Sequence, residues 1–166
     1  NRLNPIHEGT NGIQSLDLLA RKVVMNNGAA LKQLSELIMA TCKQAAAHPE
    51  LNELREPLEK LLAHLGKVTV TLLGDLGNGK VNEALANSAL YLKAFGHMVI
   101  GWRWLQQSVH AQNGLNKGLE ADQAFYQGKL QAARYFLLWE VPSCHHDLNV
   151  LENRDLTCYE MQDEWF

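Results

Sequence analysis

The sequence predicts an all-α protein, an up-and-down helical bundle of about five helices. Apolar residues recur at i, i+3, i+4 and i+7 along nearly the whole chain, as in Leu31, Leu34, Leu37, Ile38 and Thr41, and again in Leu58, Leu61, Leu62, Leu65, Val68, Leu72 and Leu73. Turn chemistry interrupts this pattern at Asn26-Asn27-Gly28, His48-Pro49, Gly77-Asn78-Gly79, Asn113-Gly114 and Val141-Pro142, and the intervals have the length of helices.

The helices are expected near residues 13–25, 30–46, 57–73, 81–110 and 120–140, with a short further helix after Ser143. Asn11 followed by Gln14 reads as a capping box that opens the first. The second lies between the Asn-Asn-Gly turn and His48-Pro49. Pro57 suits the first turn of the third, where its missing N–H costs nothing. In the fourth, Gly96 and Gly101 stand among the bulky Leu92, Phe95, Met98, Val99, Trp102 and Leu105. Each glycine costs about 1 kcal/mol of helix propensity, so close approach of a neighbouring helix is the expected return, and this long helix is placed at the bundle centre. The fifth ends at Val141-Pro142, with Ser143 as an N-cap for the short helix beyond it and Asp147 near the first turn of that helix. No internal repeat, low-complexity tract or second-domain linker interrupts the series.

Composition agrees with one globular domain. The 166 residues are 46% hydrophobic and 20% charged, with 4 Pro and a net charge of −3, which disfavours disorder and a nucleic-acid partner. The three cysteines, Cys42, Cys144 and Cys158, are widely spaced and form no Cys-x-x-Cys pair, so free thiols in a reducing compartment are expected. No apolar run is long enough to span a bilayer, and the first residues lack a signal-peptide pattern. The expectation is a cytoplasmic protein without a membrane partner.

Several stretches invite a chemical reading. Gly74, Gly79 and Lys80 in LLGDLGNGKV have the spacing of a phosphate-binding loop. However, Val81 occupies the place of the magnesium-ligating hydroxyl, and one candidate strand at 68–72 offers no parallel sheet. A helix ending at Gly74 or Gly77 in a left-handed cap is the preferred reading. Cys144-His145-His146-Asp147 offers four metal ligands in a row, but neighbours on a helix point about 100° apart, so a solvated surface is preferred. His48, His64, His97 and His110 read as isolated surface or satisfied core residues. Trp102, Trp104, Tyr126, Tyr135, Phe136 and Trp139 are helically spaced and read as packing rather than as a cofactor-stacking set. The closing Trp165-Phe166 should dock on the bundle or on a neighbour. A glutamate before a helix, as at Glu8, is ordinarily a dipole-friendly residue.

Sequence context changes the reading of Glu8. Residues 5 to 22, PIHEGTNGIQSLDLLARK, resemble the segment that carries the catalytic base in the flavin-dependent acyl-CoA dehydrogenases. The blocks ALANSALYLKAFGHMVIGWRWLQ, FYQGKLQAARYFLLWEVP and TCYEMQDEWF resemble the helical C-terminal extension of a larger subgroup, which includes the methylthiopropionyl-CoA type. The resemblance implies that residues 1–25 end the catalytic domain and residues 26–166 form the extension. It also implies that Glu8 removes the α-proton of an acyl-CoA while a β-hydride passes to FAD, that Gly9 lines the thioester site, and that Thr10, Asn11 and Gly12 run beside the flavin. Gln14 and Arg21 match family positions and look structural. His7 stands where many members have tyrosine, and Asn11-Gly12 replaces a small residue plus glutamine.

The domains that hold flavin and thioester in such enzymes have no counterpart in these 166 residues. The chain is therefore expected to be a C-terminal piece, inactive and without FAD when isolated, that reaches acyl-CoA and an electron-transfer acceptor only through its parent. Surface normally covered there predicts a homo-oligomer. The competing reading is a free-standing helical interaction module descended from the same extension.

Overall fold

The computed structural model describes residues 10–118 and 122–166. Among them the fold is an all-α bundle, as the periodicity requires. Seven α-helices follow one another: α1 (Thr10–Ala20), α2 (Met25–Ala45), α3 (Asn52–Gly77), the short α4 (Val81–Leu85), α5 (Ser88–Asn116), α6 (Gln123–Tyr135) and α7 (Val141–Glu152). Short 3-10 turns stand at Lys22–Val24, Pro49–Leu51 and Asp163–Trp165, and one π turn at Phe136–Glu140 joins α6 to α7. No helix among the described residues is long and apolar enough to cross a membrane.

The core follows from two stripes. On α3, Leu54, Leu58, Leu61, Leu65, Val68 and Leu72 alternate steps of four and three and are all buried. On α5, Tyr91, Ala94, Met98, Gly101, Leu105 and Ser108 do the same. Steps averaging 3.5 keep each stripe on one side of its helix, which is what burial against several neighbours needs. As expected, α5 is central, packing against α1, α2, α3, α6 and α7. Polar side chains in this core are paired. The Tyr91 hydroxyl donates to Thr69 Oγ1 at 2.7 Å, Thr69 in turn donates to the Leu65 carbonyl at 2.7 Å, and Trp102 Nε1 donates to Thr41 Oγ1 at 2.8 Å.

Several boundaries differ from the sequence expectation, each for a local reason. Asn26, Asn27 and Gly28 hold three successive positive φ angles of 50°, 55° and 76°, so a left-handed kink precedes the regular part of α2. Asparagine and glycine are the residues that visit this region most readily. Pro57 is the sixth residue of α3 rather than the first-turn proline, because the helix already starts at Asn52 and the first-turn role falls to Pro49 in the preceding 3-10 turn. The expected 81–110 helix is broken at Asn87, whose backbone leaves the helical region while its side-chain amide donates to the Asp155 carbonyl at 2.6 Å.

Two predicted turns lie inside helices. Asn113-Gly114 belongs to α5, and Gly114 serves close approach instead, since a Cβ there would sit 2.5 Å from the Tyr126 ring. Gly101 has a similar role against Leu137 and Leu58, whereas a Cβ on Gly96 would meet nothing within 4 Å, so only one of the two glycines expected to admit a neighbour does so.

Val141-Pro142 also fails to stop its helix. The Val141 N–H reaches back five residues to the Phe136 carbonyl. Proline ordinarily clashes with the carbonyl four residues behind it, and the wider π turn just ahead relieves that crowding. Ser143 therefore lies within the helix, its hydroxyl donating to the Glu140 carbonyl at 2.7 Å, and is not an N-cap.

Candidate functional site

Glu8 and Gly9 lie outside the described residues. The other three candidates, Thr10, Asn11 and Gly12, form the exposed first turn of α1. Since the helix already includes Thr10, Asn11 stands within that turn and does not precede it as the first residue of a capping box. The turn is anchored from below. Ser15 donates its only hydroxyl proton to the Gly12 carbonyl at 2.8 Å, which leaves its oxygen to accept from Ser88 Oγ, 2.9 Å away at the start of α5. Both serines are buried, at 1% and 5% exposure. The candidate segment is thus tied to the central helix by residues 73 positions apart, a pairing with no sequence signal.

At the other end of α1, Arg21 pairs with a carboxylate one turn earlier. Its guanidinium grips both oxygens of Asp17 at 2.5 and 2.9 Å, and Lys22 adds a third contact at 3.2 Å. The Arg21 bond, the largest influence, holds the Asp17 carboxyl below its usual range. Between these ends α1 has two faces. Ser15 and Leu19 are buried against the bundle, while Ile13, Leu16 and Ala20 form a second small-to-apolar stripe at steps of three and four on the solvent side, with Ile13 67% and Leu16 44% exposed.

The phosphate-loop-like stretch proves to be a helix cap. The Lys80 N–H donates to the Asp75 carbonyl at 3.0 Å, the Gly79 N–H to Leu76 at 3.1 Å, and Gly79 has φ +81°. These are the two bonds of a Schellman motif, so the amides that would cradle a phosphate are already used. The left-handed residue is Gly79, two positions beyond the later of the expected glycines. α7 ends in the same motif, with Asp155 bonded to Val150 and Arg154 to Leu151, but there the left-handed residue is Arg154 at φ 54°. Its guanidinium meets the nearly buried Asp75 carboxylate at 2.5 Å, joining the two helix ends.

The Cys144-to-Asp147 run is not the solvated surface its sequence suggests. Cys144 and Asp147 are buried, His146 is exposed, and no three potential ligands converge among the described residues. Asp147 Oδ2 lies 2.8 Å from the Lys93 ammonium, which that carboxylate holds above its usual pKa. Burial pushes the Cys144 thiol up, and the Cys42 thiol up to about 11, so neither is a ready nucleophile.

His145 faces the other way and meets His64, a residue whose sequence surroundings suggest isolation. The two Nδ1 atoms are 2.9 Å apart, and His64 Nε2 lies 3.2 Å from Glu152 Oε2. A separation of 81 positions along the chain hides this pairing from any local pattern.

The aromatic set divides. Trp104 lies beneath the Lys129 ammonium, 5.7 Å from ring centroid to nitrogen, and Phe136 stacks on His97 at 5.5 Å. Tyr135 and Trp139 stack on each other at 6.5 Å and remain outside, 55% and 76% exposed. Trp165 and Phe166 do not dock on their own bundle, being 64% and 94% exposed.

The sequence profile described as "Acetyl-CoA dehydrogenase C-terminal like" matches residues 34–162. Across 99% of its length the chain is 27% identical to a broad-specificity linear acyl-CoA dehydrogenase, FadE5, of Mycobacterium tuberculosis, covering 28% of that protein. It is 32% identical over 86% of its length to a 3-methylmercaptopropionyl-CoA dehydrogenase of Ruegeria pomeroyi, covering 24% of it, and 26% identical over 99% to a butyryl-CoA dehydrogenase of Syntrophomonas wolfei, covering 27%. The chain thus spans about a quarter of the length of these curated relatives. With more than three quarters of its residues inside one family profile, the chain belongs to the acetyl-CoA dehydrogenase C-terminal-like family of acyl-CoA dehydrogenase segments.

Proposed function

We propose that the chain is the C-terminal helical portion of a FAD-dependent acyl-CoA dehydrogenase, with residues 1–25 ending the catalytic domain and residues 26–166 bracing it. In this reading Glu8 takes the α-proton of an acyl-CoA thioester, Gly9 lines the thioester site, and Thr10, Asn11 and Gly12 run beside the flavin. A carboxylate suits the task because enclosure by a complete active site raises its proton affinity towards neutrality. The first turn of α1 fits a neighbouring flavin: it is exposed, and a Cβ at Gly12 would meet no atom within 4 Å, leaving room for close approach. FAD, when bound, would supply the hydride acceptor, with an electron-transfer partner to reoxidise it. The chain's own part is to hold Glu8 through an α1 turn fixed by Ser15 and Ser88.

The observation that carries the reading is the second apolar face of α1. Ile13, Leu16 and Ala20 have no covering element among the described residues, although they sit immediately after the base-bearing segment. A helix with two apolar faces suits a place between two bodies, here the bundle and the catalytic part. Without that part the same stripe is available for self-association, and the reading gives Glu8 no substrate to act upon.

The test uses the 166-residue chain and a longer polypeptide that carries it. The longer protein is expected to purify yellow and to lose turnover by about 10²- to 10⁴-fold on Glu8→Gln with its flavin content unchanged. The short chain is expected to be colourless. Undiminished turnover in Glu8→Gln, or stoichiometric FAD on the short chain, overturns the reading, and a colourless short chain with its own binding partner favours the independent module.

A further inference from the structure

Glu152, His64 and His145 form a line of polar atoms that crosses from α7 to α3 and back, with Glu152 and His145 on one helix and His64 on the other. The carboxylate fixes the arrangement of protons. Glu152 accepts from His64 Nε2–H, so the neutral His64 ring has a bare Nδ1, and the His145 Nδ1 facing it at 2.9 Å must carry the hydrogen. The rings lie near-parallel, 15° apart, with centroids at 5.2 Å. His145 Nε2 remains as the one bare nitrogen of the pair. A first added proton there leaves every bond of the line in place. A second can only go between the two Nδ1 atoms, where one proton already sits, and two N–H groups cannot face each other at that separation.

The charged surroundings act in the same sense. From α3, Lys60 and Lys67 stand one turn before and after His64. Lys67 binds the second Glu152 oxygen, and Lys60 together with His64 disfavours charge on His145. From α7 the facing group is Glu152. Lys93 of α5, Asp147 and Glu140 belong to the opposite flank of α7, around Cys144, and Arg154 beyond Glu152 is engaged with Asp75. The histidines are largely shielded, His64 having 17% side-chain exposure, so water does not substitute freely for the bond between them. Burial, then the His64 and Lys60 charges, holds His145 below the usual imidazole range.

We propose that His64, His145 and Glu152 form a proton-limited clasp, closed while the two imidazoles share no more than one extra proton and opened at its His64–His145 joint when both are charged, loosening α7 from α3 around His145 while Glu152 stays paired with His64 and Lys67 and Arg154 with Asp75. The sign follows from the depressed His145. The unfolded chain binds the proton first, so the clasp's contribution is present above about pH 6.5 and is lost as pH falls through the lower value held in the fold.

Nitrogen NMR of the 166-residue chain labelled at histidine tests the geometry directly. At pH 7.5, His64 should be the Nε2–H tautomer and His145 the Nδ1–H tautomer. The same tautomer on both rings would exclude the bond and the proposal with it. Hydrogen exchange then reads the opening. Amide protection over residues 144–150, normalised to residues 68–76 of α3 and corrected for intrinsic rates, should fall on the order of tenfold between pH 7.5 and 5. In His64→Gln and in His145→Asn, each checked for native helicity, protection should already be reduced at pH 7.5 and should change little with acid. Equal wild-type protection at both pH values, or an acid loss that persists in both variants, would overturn the clasp. Neither result depends on whether the parent protein is a dehydrogenase.

Discussion

At the contact between α5 and α6, Gly114 lies so close beneath Tyr126 that a Cβ would come within 2.5 Å of its ring. Across the contact between α3 and α7, residues far apart in sequence meet through imidazole, carboxylate and ammonium groups instead. At this point the first joint is specified by shape, a ring resting on a bare backbone. The second tolerates changes of shape better but depends on where a few protons reside. One bundle thus contains a joint that responds to volume and another that responds to pH, and substitutions should separate the two.

The largest effect is expected at the steric joint. Gly114→Ala should lower stability by about 1–3 kcal/mol in chemical denaturation, despite alanine's better helix propensity, because a ring must move out of a packed position. Adding Tyr126→Leu should recover most of the loss, and an unaffected Gly114→Ala would show that the ring is free to swing away. A polar core pair gives the next effect. Thr69→Val strands the buried Tyr91 hydroxyl, which donates to Thr69, and should cost about 1–3 kcal/mol. Tyr91→Phe leaves Thr69 still donating to Leu65 and should cost only about 1 kcal/mol. Both losses should be constant from pH 5 to 9, since burial pushes the Tyr91 hydroxyl up to about 12. The smallest change should be of opposite sign. Gly96→Ala fills open space on a regular helix and should raise stability by about 0.5–1 kcal/mol, measured as a higher thermal midpoint.

The same contrast explains how much could be read in advance. Helix existence was legible because the stripes on α3 and α5 repeat through the whole helix, and a period of about 3.5 accumulates evidence with length. Glycine and proline were ambiguous because each has two physical uses. Gly79 and Gly28 adopt left-handed backbone, as a turn reading requires, but Gly114 was selected by the proximity of Tyr126, which no neighbouring residue announces. Pro142 is accommodated by hydrogen bonding one turn earlier. In the candidate site, the segment from Glu8 to Gly12 was found through its resemblance to a family. The support of its helical end by Ser15 and Ser88, and the meeting of His64 with His145, come from chain crossings 73 and 81 residues apart. Those depend on how helices pack, and a linear pattern does not encode that.

The π turn at Phe136–Glu140 has a consequence for length variation in homologous chains. A loop closed by a five-residue reach contains one residue more than its α counterpart, so it acts as a stored insertion within an otherwise continuous rod from Gln123 to Glu152. Ala133 before it, Leu137 within it, and Val141, Cys144 and Leu148 after it all still point inward. The surplus is expressed outward, at Trp139. A homologue shorter by one position here, and lacking the proline that crowds the narrower coil, would keep both inward-facing sets in phase and lose only that external indole.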